Sequence, residues 1–300
     1  MTEPATARPA DPERNTLAKA ATENFPVAPF FLPREWREDL VAVYGFCRLV
    51  DDIGDGDLAP GGADARLLGV EPDRAEDRLV LLDALEADLR RVFDGTPLHP
   101  LLRRLQPTVR RRALTPGPFL GLVAANRQDQ LVTRYETYDD LLAYCELSAN
   151  PVGRLVLAVT GTSTPERIRR SDAVCTALQL VEHLQDVSED LGRDRVYLPA
   201  ADMKRFHVEE ADLAVPTAGA SVRALVAYEA ERARDLLDEG DALVGSVHGR
   251  LRLLLAGFVA GGRAAVHAIA AAEYDVLPGP PKPGKARLLR EVGMTLRGKG

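Results

Sequence analysis

"FCRLVDDIGDG", residues 46–56, sets Asp51, Asp52 and Asp55 into the same turns as Phe46, Leu49, Val50 and Ile53. The apolar residues recur at helical spacing, so the stretch reads as a helix with one face in a core. Carboxylates on such a helix are costly unless something compensates them. Asp51 and Asp55 are four residues apart and share a face. Arg48 lies three residues before Asp51 and Tyr44 four before Arg48, which completes a single stripe of Tyr44, Arg48, Asp51 and Asp55. On its own, this pattern is explained as well by a solvated acidic face as by a ligand site.

The device occurs twice. In "QLVEHLQDVSEDLGRDRVYLP", residues 179–199, Asp186 and Asp190 are again four apart, with Gln179, Glu182 and His183 before them on about the same face. Two acidic stripes facing one another would repel: at an effective dielectric near 20, two unit charges ~4 Å apart cost about 4 kcal/mol. Several such pairs rival the stability of a whole domain. A divalent cation removes the penalty. Mg²⁺ takes one or two carboxylates, keeps waters, and completes its shell with phosphate oxygens. The two stripes therefore predict a magnesium clamp for a diphosphate.

Helical periodicity extends outward from these motifs. It predicts helices over about 34–55, 74–93, 98–113, 117–134, 137–161, 165–192, 219–244 and 247–272, with a Gly/Pro/Asp-rich loop at 56–73 and a break at "RVYLP", 195–199. No segment alternates with period two. The expected fold is all-α, one domain of roughly eight to ten helices over 14–278. A Pro- and Ala-rich tail over 1–13 is expected to be disordered, and a basic tail spans 279–300. The balance of 46% hydrophobic and 28% charged residues suits a globular protein, and only 5% are aromatic. The net charge of −7 argues against nucleic acid as a partner. Cys47, Cys145 and Cys175 form no pair motif, which fits a reducing cytoplasm and cysteines packed as small hydrophobes. The N-terminus shows no signal-peptide pattern, and the longest apolar run noted, 253–262, is short for a membrane span.

Five segments resemble the squalene/phytoene synthase family. "YGFCRLVDDIGD" (44–55) is similar to its first aspartate-rich motif, and "QDVSED" with "GRDRVYLP" to the second. "ENFPVAPFFLP" (23–33), "TRYETYDDLLAYCELSANPVGRLVL" (133–157) and "GGRAAVHAIAAAEYDVL" (261–277) resemble the branch of bacterial hydroxysqualene synthases of hopanoid biosynthesis. The resemblance covers about residues 15–290. It implies an isoprenoid-synthase-type bundle around a central apolar channel, with presqualene diphosphate as substrate. It implies Mg²⁺ held by Asp51, Asp55, Asp186 and Asp190, loss of diphosphate, rearrangement of a cyclopropylcarbinyl cation, and capture by water without NADPH. Metal ions stabilise charge developing on leaving oxygens. Arg48 and Arg195 are implied for the phosphates. Tyr44, Tyr144 and Tyr197 are implied for orienting diphosphate or cation, Asn150 for the water, and Asp129 as an inward-facing acid. Phe25 and Gln179 complete the implied substrate contacts. The resemblance leaves open whether a presqualene diphosphate synthase hands the substrate over.

The chain departs from the family pattern at Glu182, where relatives usually carry Asn, and in the short "PGPPKPGK" after "EYDVL". Glu182 is a further candidate metal ligand. "GPPKPGKA" (279–286) mimics a P-loop, but its prolines remove the amides that would cradle phosphate, so it reads as a linker. No Glu-x-x-His occurs, against a di-iron bundle, and no GxGxxG occurs. The scattered histidines, His183 included, read as surface or core residues, and Tyr135 and Tyr138 as core. The leucines and basic residues of 282–300 suit either an anionic membrane surface or a solvated end. The rival functions are a condensing sister enzyme making presqualene diphosphate or phytoene, and a helical scaffold without catalysis.

Overall fold

The computed structural model describes residues 12–21 and 27–298. Among the described residues the chain consists of α-helices and short 3-10 turns, with no strand and one isolated parallel bridge, Arg134 with Val196. The helical pattern predicts one domain; the chain divides into two compact units, residues 1–28 with 33–116 and residues 29–32 with 117–300. Residues 1–11 of the expected tail, and Phe25, lie outside the described residues, while Pro12 and Glu13 already belong to a helix.

The first unit holds α1 (Pro12–Ala18), α2 (Arg34–Asp55), α3 (Ala63–Leu67), α4 (Arg78–Asp94) and α5 (Pro100–Arg112). α2 follows Pro33 and buries Leu40, Val43, Phe46, Leu49, Val50 and Ile53 in the unit's core. It ends at Gly56, whose φ of 77° is left-handed and whose Cβ, if present, would lie 2.6 Å from the Arg78 guanidinium. Only glycine suits that stop. α4 starts later than predicted because the Asp77 side chain accepts from the Val80 amide and caps it there. The loop predicted over 56–73 contains α3 and is fastened by Asp64, 3.1 Å from His99 Nε2, both groups buried. Asp39, fully buried, is held by the Thr108 hydroxyl and by the guanidiniums of Arg111 and Arg112. Burial alone would raise its pKa, but those donors outweigh it and hold the carboxyl below the usual range.

The second unit holds α6 (Pro116–Gln128), α7 (Tyr138–Ser148), α8 (Asn150–Val159), α9 (Pro165–Gln185), α10 (Val187–Gly192), α11 (Ala200–Arg205), α12 (Glu210–Leu213), α13 (Ala220–Gly245), α14 (Gly249–Ala271) and α15 (Lys285–Leu296). Three predicted helices end or break early. α6 stops at Gln128 because residues 133–135 run beside 195–197, with the Val196 amide donating to Thr133 O at 2.9 Å. The predicted 137–161 helix divides at Ala149 (φ −109°), since Pro151 has no amide to continue it. The predicted 165–192 helix divides at Asp186, with φ −105° and ψ 14°.

α9 is central to this unit, packed against α8 and α13. Gly153 of α8 meets it so closely that a Cβ would collide with Ser171 and come within 2.6 Å of Cys175 Sγ, and a Cβ on Gly240 of α13 would collide with Val174. α14 is long and apolar enough to cross a membrane by length and composition, because alanines extend the apolar run past 262; yet 67% of its most apolar window is buried within the fold, as in a core helix. The segment read as a basic tail contains α15, which packs on α14 with Glu291 and Thr295 buried. The thiols of Cys47, Cys145 and Cys175 are free, and burial raises their pKa values, so they sit as inert small hydrophobes.

α13 also carries a buried ion cluster. Arg232 Nη1 donates to Asp202 Oδ2 (2.7 Å) and to Glu229 Oε1 and Oε2 (3.1 and 3.2 Å), while the Tyr138 and Tyr228 rings lie 4.0 and 4.4 Å from its guanidinium carbon. Two carboxylates share one guanidinium. Burial pushes Glu229 up to about 7, with Arg232 opposing and Asp202 reinforcing the rise. A raised carboxyl pKa stabilises the fold fully below its unfolded value of 4.5, and that contribution is lost as pH rises through about 7. Glu229→Gln keeps the neutral, hydrogen-bonded form at every pH. Thermal melts are expected to show wild type losing of order 3 kcal/mol between pH 5 and pH 8 from this group, and the variant losing none of it. Parallel pH profiles would refute the assignment.

Candidate functional site

In the second unit the backbone bridge between Arg134 and Val196 sets the Tyr135 and Tyr197 rings 5.7 Å apart. Arg134 locks it from outside, with Nε 2.6 Å from Glu210 Oε1 and Nη2 2.9 Å from Asp194 Oδ1. α7 adds Tyr144, whose ring lies 5.4 Å from Tyr135 and 5.6 Å from Tyr197. Asp129, one residue past α6, receives two phenols: Tyr144 O–H donates to Oδ2 at 2.9 Å and Tyr197 O–H to Oδ1 at 3.1 Å. Burial raises all three tyrosine pKa values, and the Asp129 charge reinforces the rise. The phenols therefore stay protonated and act as donors. Burial also raises Asp129 above the usual carboxylate range, against the pull of Tyr144, Arg195, Tyr197 and His183.

His183 of α9 stacks on Tyr197 with ring centroids 3.7 Å apart and planes 12° apart. Its Nε2 lies 3.3 Å from Gln179 Nε2 and its Nδ1 3.8 Å from Asp190 Oδ2. A cleft is lined by His183, Asp190, Arg195 and Tyr197, with Val187, Val196, Leu198 and Leu213 as its apolar wall. Tyr135, read from the sequence as core, is 3% exposed; it and His183 also belong to the aromatic stack beside this cleft.

The second acidic pair sits at a helix break rather than along one helix. Asp186 caps the end of α9 through its amide on Glu182 O (3.0 Å), and the Asp190 amide returns to Asp186 O (2.8 Å). One turn of spacing survives the break. Burial raises the Asp186 pKa, and Asp190 and Glu189 raise it further. His183 and Arg193 oppose this rise only in part. Among the described residues no three His, Cys, Asp or Glu side chains are grouped to enclose a metal ion. Two carboxylates, with water and phosphate filling the remaining positions, are the donor set Mg²⁺ prefers, so the residues fit that ion. Glu182 lies on the exposed face of α9, a turn before Asp186. Asn150 is buried at the start of α8 and accepts from the Thr176 hydroxyl at 3.0 Å, a bond that ties α8 to α9.

In the first unit, α2 carries the other motif. Arg48 Nε donates to Asp52 Oδ1 at 2.7 Å, and Lys19 Nζ reaches the same oxygen at 2.8 Å. Asp52 is 3% exposed, so burial raises its pKa while Lys19 and Arg48 pull it down. Asp51 is exposed, and Asp55, Tyr44 and Arg48 are half-buried. Arg48, assigned from the sequence to phosphate, thus spends its Nε on a core carboxylate. The sequence reading missed this ion triad. The Arg48–Asp52 spacing of four was a visible signal; the contribution of Lys19, 33 residues away, had none.

Comparison with known proteins gives a consistent result. The squalene/phytoene synthase family model matches residues 18–290. A hydroxysqualene synthase of Rhodopseudomonas palustris is 33% identical over 226 residues, 75% of this chain and 71% of that protein. A 15-cis-phytoene synthase of Synechococcus elongatus is 29% identical, over 73% of this chain and 70% of its own. Among solved structures, the squalene synthase HpnC of Alicyclobacillus acidocaldarius is 41% identical with a TM-score of 0.76, covering 87% of this chain and 93% of that one. A dehydrosqualene synthase shares the fold at a TM-score of 0.80 and 23% identity, covering 94% of each chain. The fold is the all-α isoprenoid synthase fold. The chain belongs to the squalene/phytoene synthase family of head-to-head prenyl diphosphate condensing enzymes.

Proposed function

We propose that this enzyme is a hydroxysqualene synthase, converting presqualene diphosphate and water to hydroxysqualene and diphosphate. The observation that carries the reading is the cleft lined by His183, Tyr197, Asp190 and Arg195, with Tyr135 and Tyr144 packed against Tyr197 and Asp186 one turn before Asp190. Aromatic rings are electron-rich and attract cations, so Tyr197 and His183 at the cleft suit a carbocation that must survive rearrangement. Asp129 fixes two of these rings through their hydroxyls, at 2.9 and 3.1 Å. Arg195 offers charge-assisted hydrogen bonds to a leaving diphosphate. Asp51, Asp55, Asp186 and Asp190 would hold Mg²⁺, with Glu182 as a further candidate. When bound, the ion stabilises negative charge on the departing oxygens. The C–O bond to diphosphate breaks, a C–O bond to water forms, and one proton leaves to solvent. The R. palustris relative supports the choice of product.

The phytoene synthase relative favours a second reading, condensation of two prenyl diphosphates. Product analysis separates the two. Purified protein with presqualene diphosphate and Mg²⁺, without nicotinamide cofactor, is expected to yield hydroxysqualene by mass spectrometry. Unchanged substrate would overturn the proposal, and product from farnesyl or geranylgeranyl diphosphate would then establish the condensing reading.

A further inference from the structure

α15 is oriented opposite to a helix that meets water. It turns Glu291 (1% exposed) and Thr295 (2%) toward the fold and leaves Leu289 72% and Leu288 36% exposed. The inward side carries ion pairs: Arg287 Nε lies 2.8 Å and His267 Nε2 3.6 Å from Glu291 Oε1, and Arg263 Nη1 donates to Thr295 Oγ1 at 3.3 Å. Arg252 donates to Leu296 O at 2.8 Å and seats the far end on α14. The sole acid of α15 is therefore buried and paired, and the charges it shows to solvent are positive, Lys285 and Arg290 beside the two leucines. The wider charge distribution is as lopsided. Residues 282–300 hold six Lys or Arg against one Glu, while the 281 residues before them hold 32 against 44 Asp or Glu.

We infer that α15 docks on an anionic phospholipid surface, with Leu288 and Leu289 at the headgroup–acyl boundary and Lys285 and Arg290 among the lipid phosphates. Exposed leucines alone are ordinary. Leucines flanked only by cations, on a helix whose sole acid is turned inward and ion-paired, match an interfacial helix lying in the membrane plane. The contact also connects to the candidate site. The segment leading into α15 is fastened by Ser188 Oγ to Leu277 O at 2.9 Å and by Gln185 Nε2 to Pro281 O at 2.6 Å, residues on either side of Asp186. Docking thus places the Asp186 turn against the same membrane-facing support. The inference is independent of the reaction proposed above.

Vesicle flotation of the full chain tests it. Wild type is expected to bind phosphatidylglycerol-containing vesicles at least about tenfold better than pure phosphatidylcholine, and to release when salt rises from roughly 50 to 500 mM. Lys285→Glu/Arg290→Glu is expected to abolish binding, since each cation near an anionic surface contributes about fivefold. Leu289→Ser is expected to lower it about tenfold with an unchanged melting temperature, because that side chain is 72% exposed. Equal binding to the two vesicle types, no binding, or undiminished binding by the leucine variant overturns the inference. So does a dimer in solution that the leucine variant splits, which would make a second copy the occupant.

Discussion

Asp186→Ala is expected to lower turnover of a prenyl diphosphate by about a thousandfold or more without lowering the melting temperature. Removal of one stabilising contact to developing charge already costs 10²–10³ in comparable sites, and Asp186 supplies half of an acidic pair. The structural side runs in the opposite direction. Burial, Asp190 and Glu189 all disfavour the ionised Asp186 carboxyl, so alanine relieves strain in the folded protein. Asp51→Ala, at an exposed position of α2, is expected to behave alike. Loss of activity with an equal or higher melting temperature identifies residues kept for function at the expense of stability. Turnover within about tenfold of wild type would assign both acids to solvated surface and revive the scaffold reading.

Gly240→Val is expected to destabilise the protein by about 3 kcal/mol, at the upper end of overpacking costs. Its Cβ would collide with Val174 and lie 3.3 Å from the Arg170 carbonyl, so the clash is with backbone as well as side chain. Gly257→Ala is the control. It adds a Cβ inside α14 with nothing within 4 Å, and should gain up to about 1 kcal/mol through helix propensity. Thermal melts of the two variants therefore move in opposite directions. The effect reaches function because α9 carries Gln179, His183 and the approach to Asp186, and Gly240 sets how closely α13 may lie against it.

The helical architecture was legible because periodicity and punctuation agree: Pro33 and Gly56 bound α2, and Thr164–Pro165 opens α9. The first acidic motif was legible for the same reason, since a spacing of four inside α2 sets Asp51 and Asp55 on one face. The break at Asp186 was not. The residues on either side, Gln185 and Ser188, are tied to Pro281 O and Leu277 O, partners 96 and 89 residues away that no local pattern announces. The cluster around Asp129 was partly visible. Asp129, Tyr144 and Tyr197 were assigned through resemblance, but stacking of His183 on Tyr197 depends on partners far apart in sequence. Asn150 illustrates the reverse limit: a motif residue whose described bond, to Thr176, is a packing contact.

The triad at Asp52 changes what the beginning of the chain is for. Two cations converge on one carboxylate oxygen, and one of them, Lys19, arrives from the 3-10 turn that follows α1. The 3-10 turn that carries Lys19 is thus a plug over a core anion. Trimming the protein past residue 21 would leave Asp52 buried with Arg48 alone on that oxygen, and the loss would register in the interior of α2 rather than at its surface. Of three neighbouring aspartates, one is internal ballast, and its counterweight is held by residues that precede the catalytic fold's first long helix.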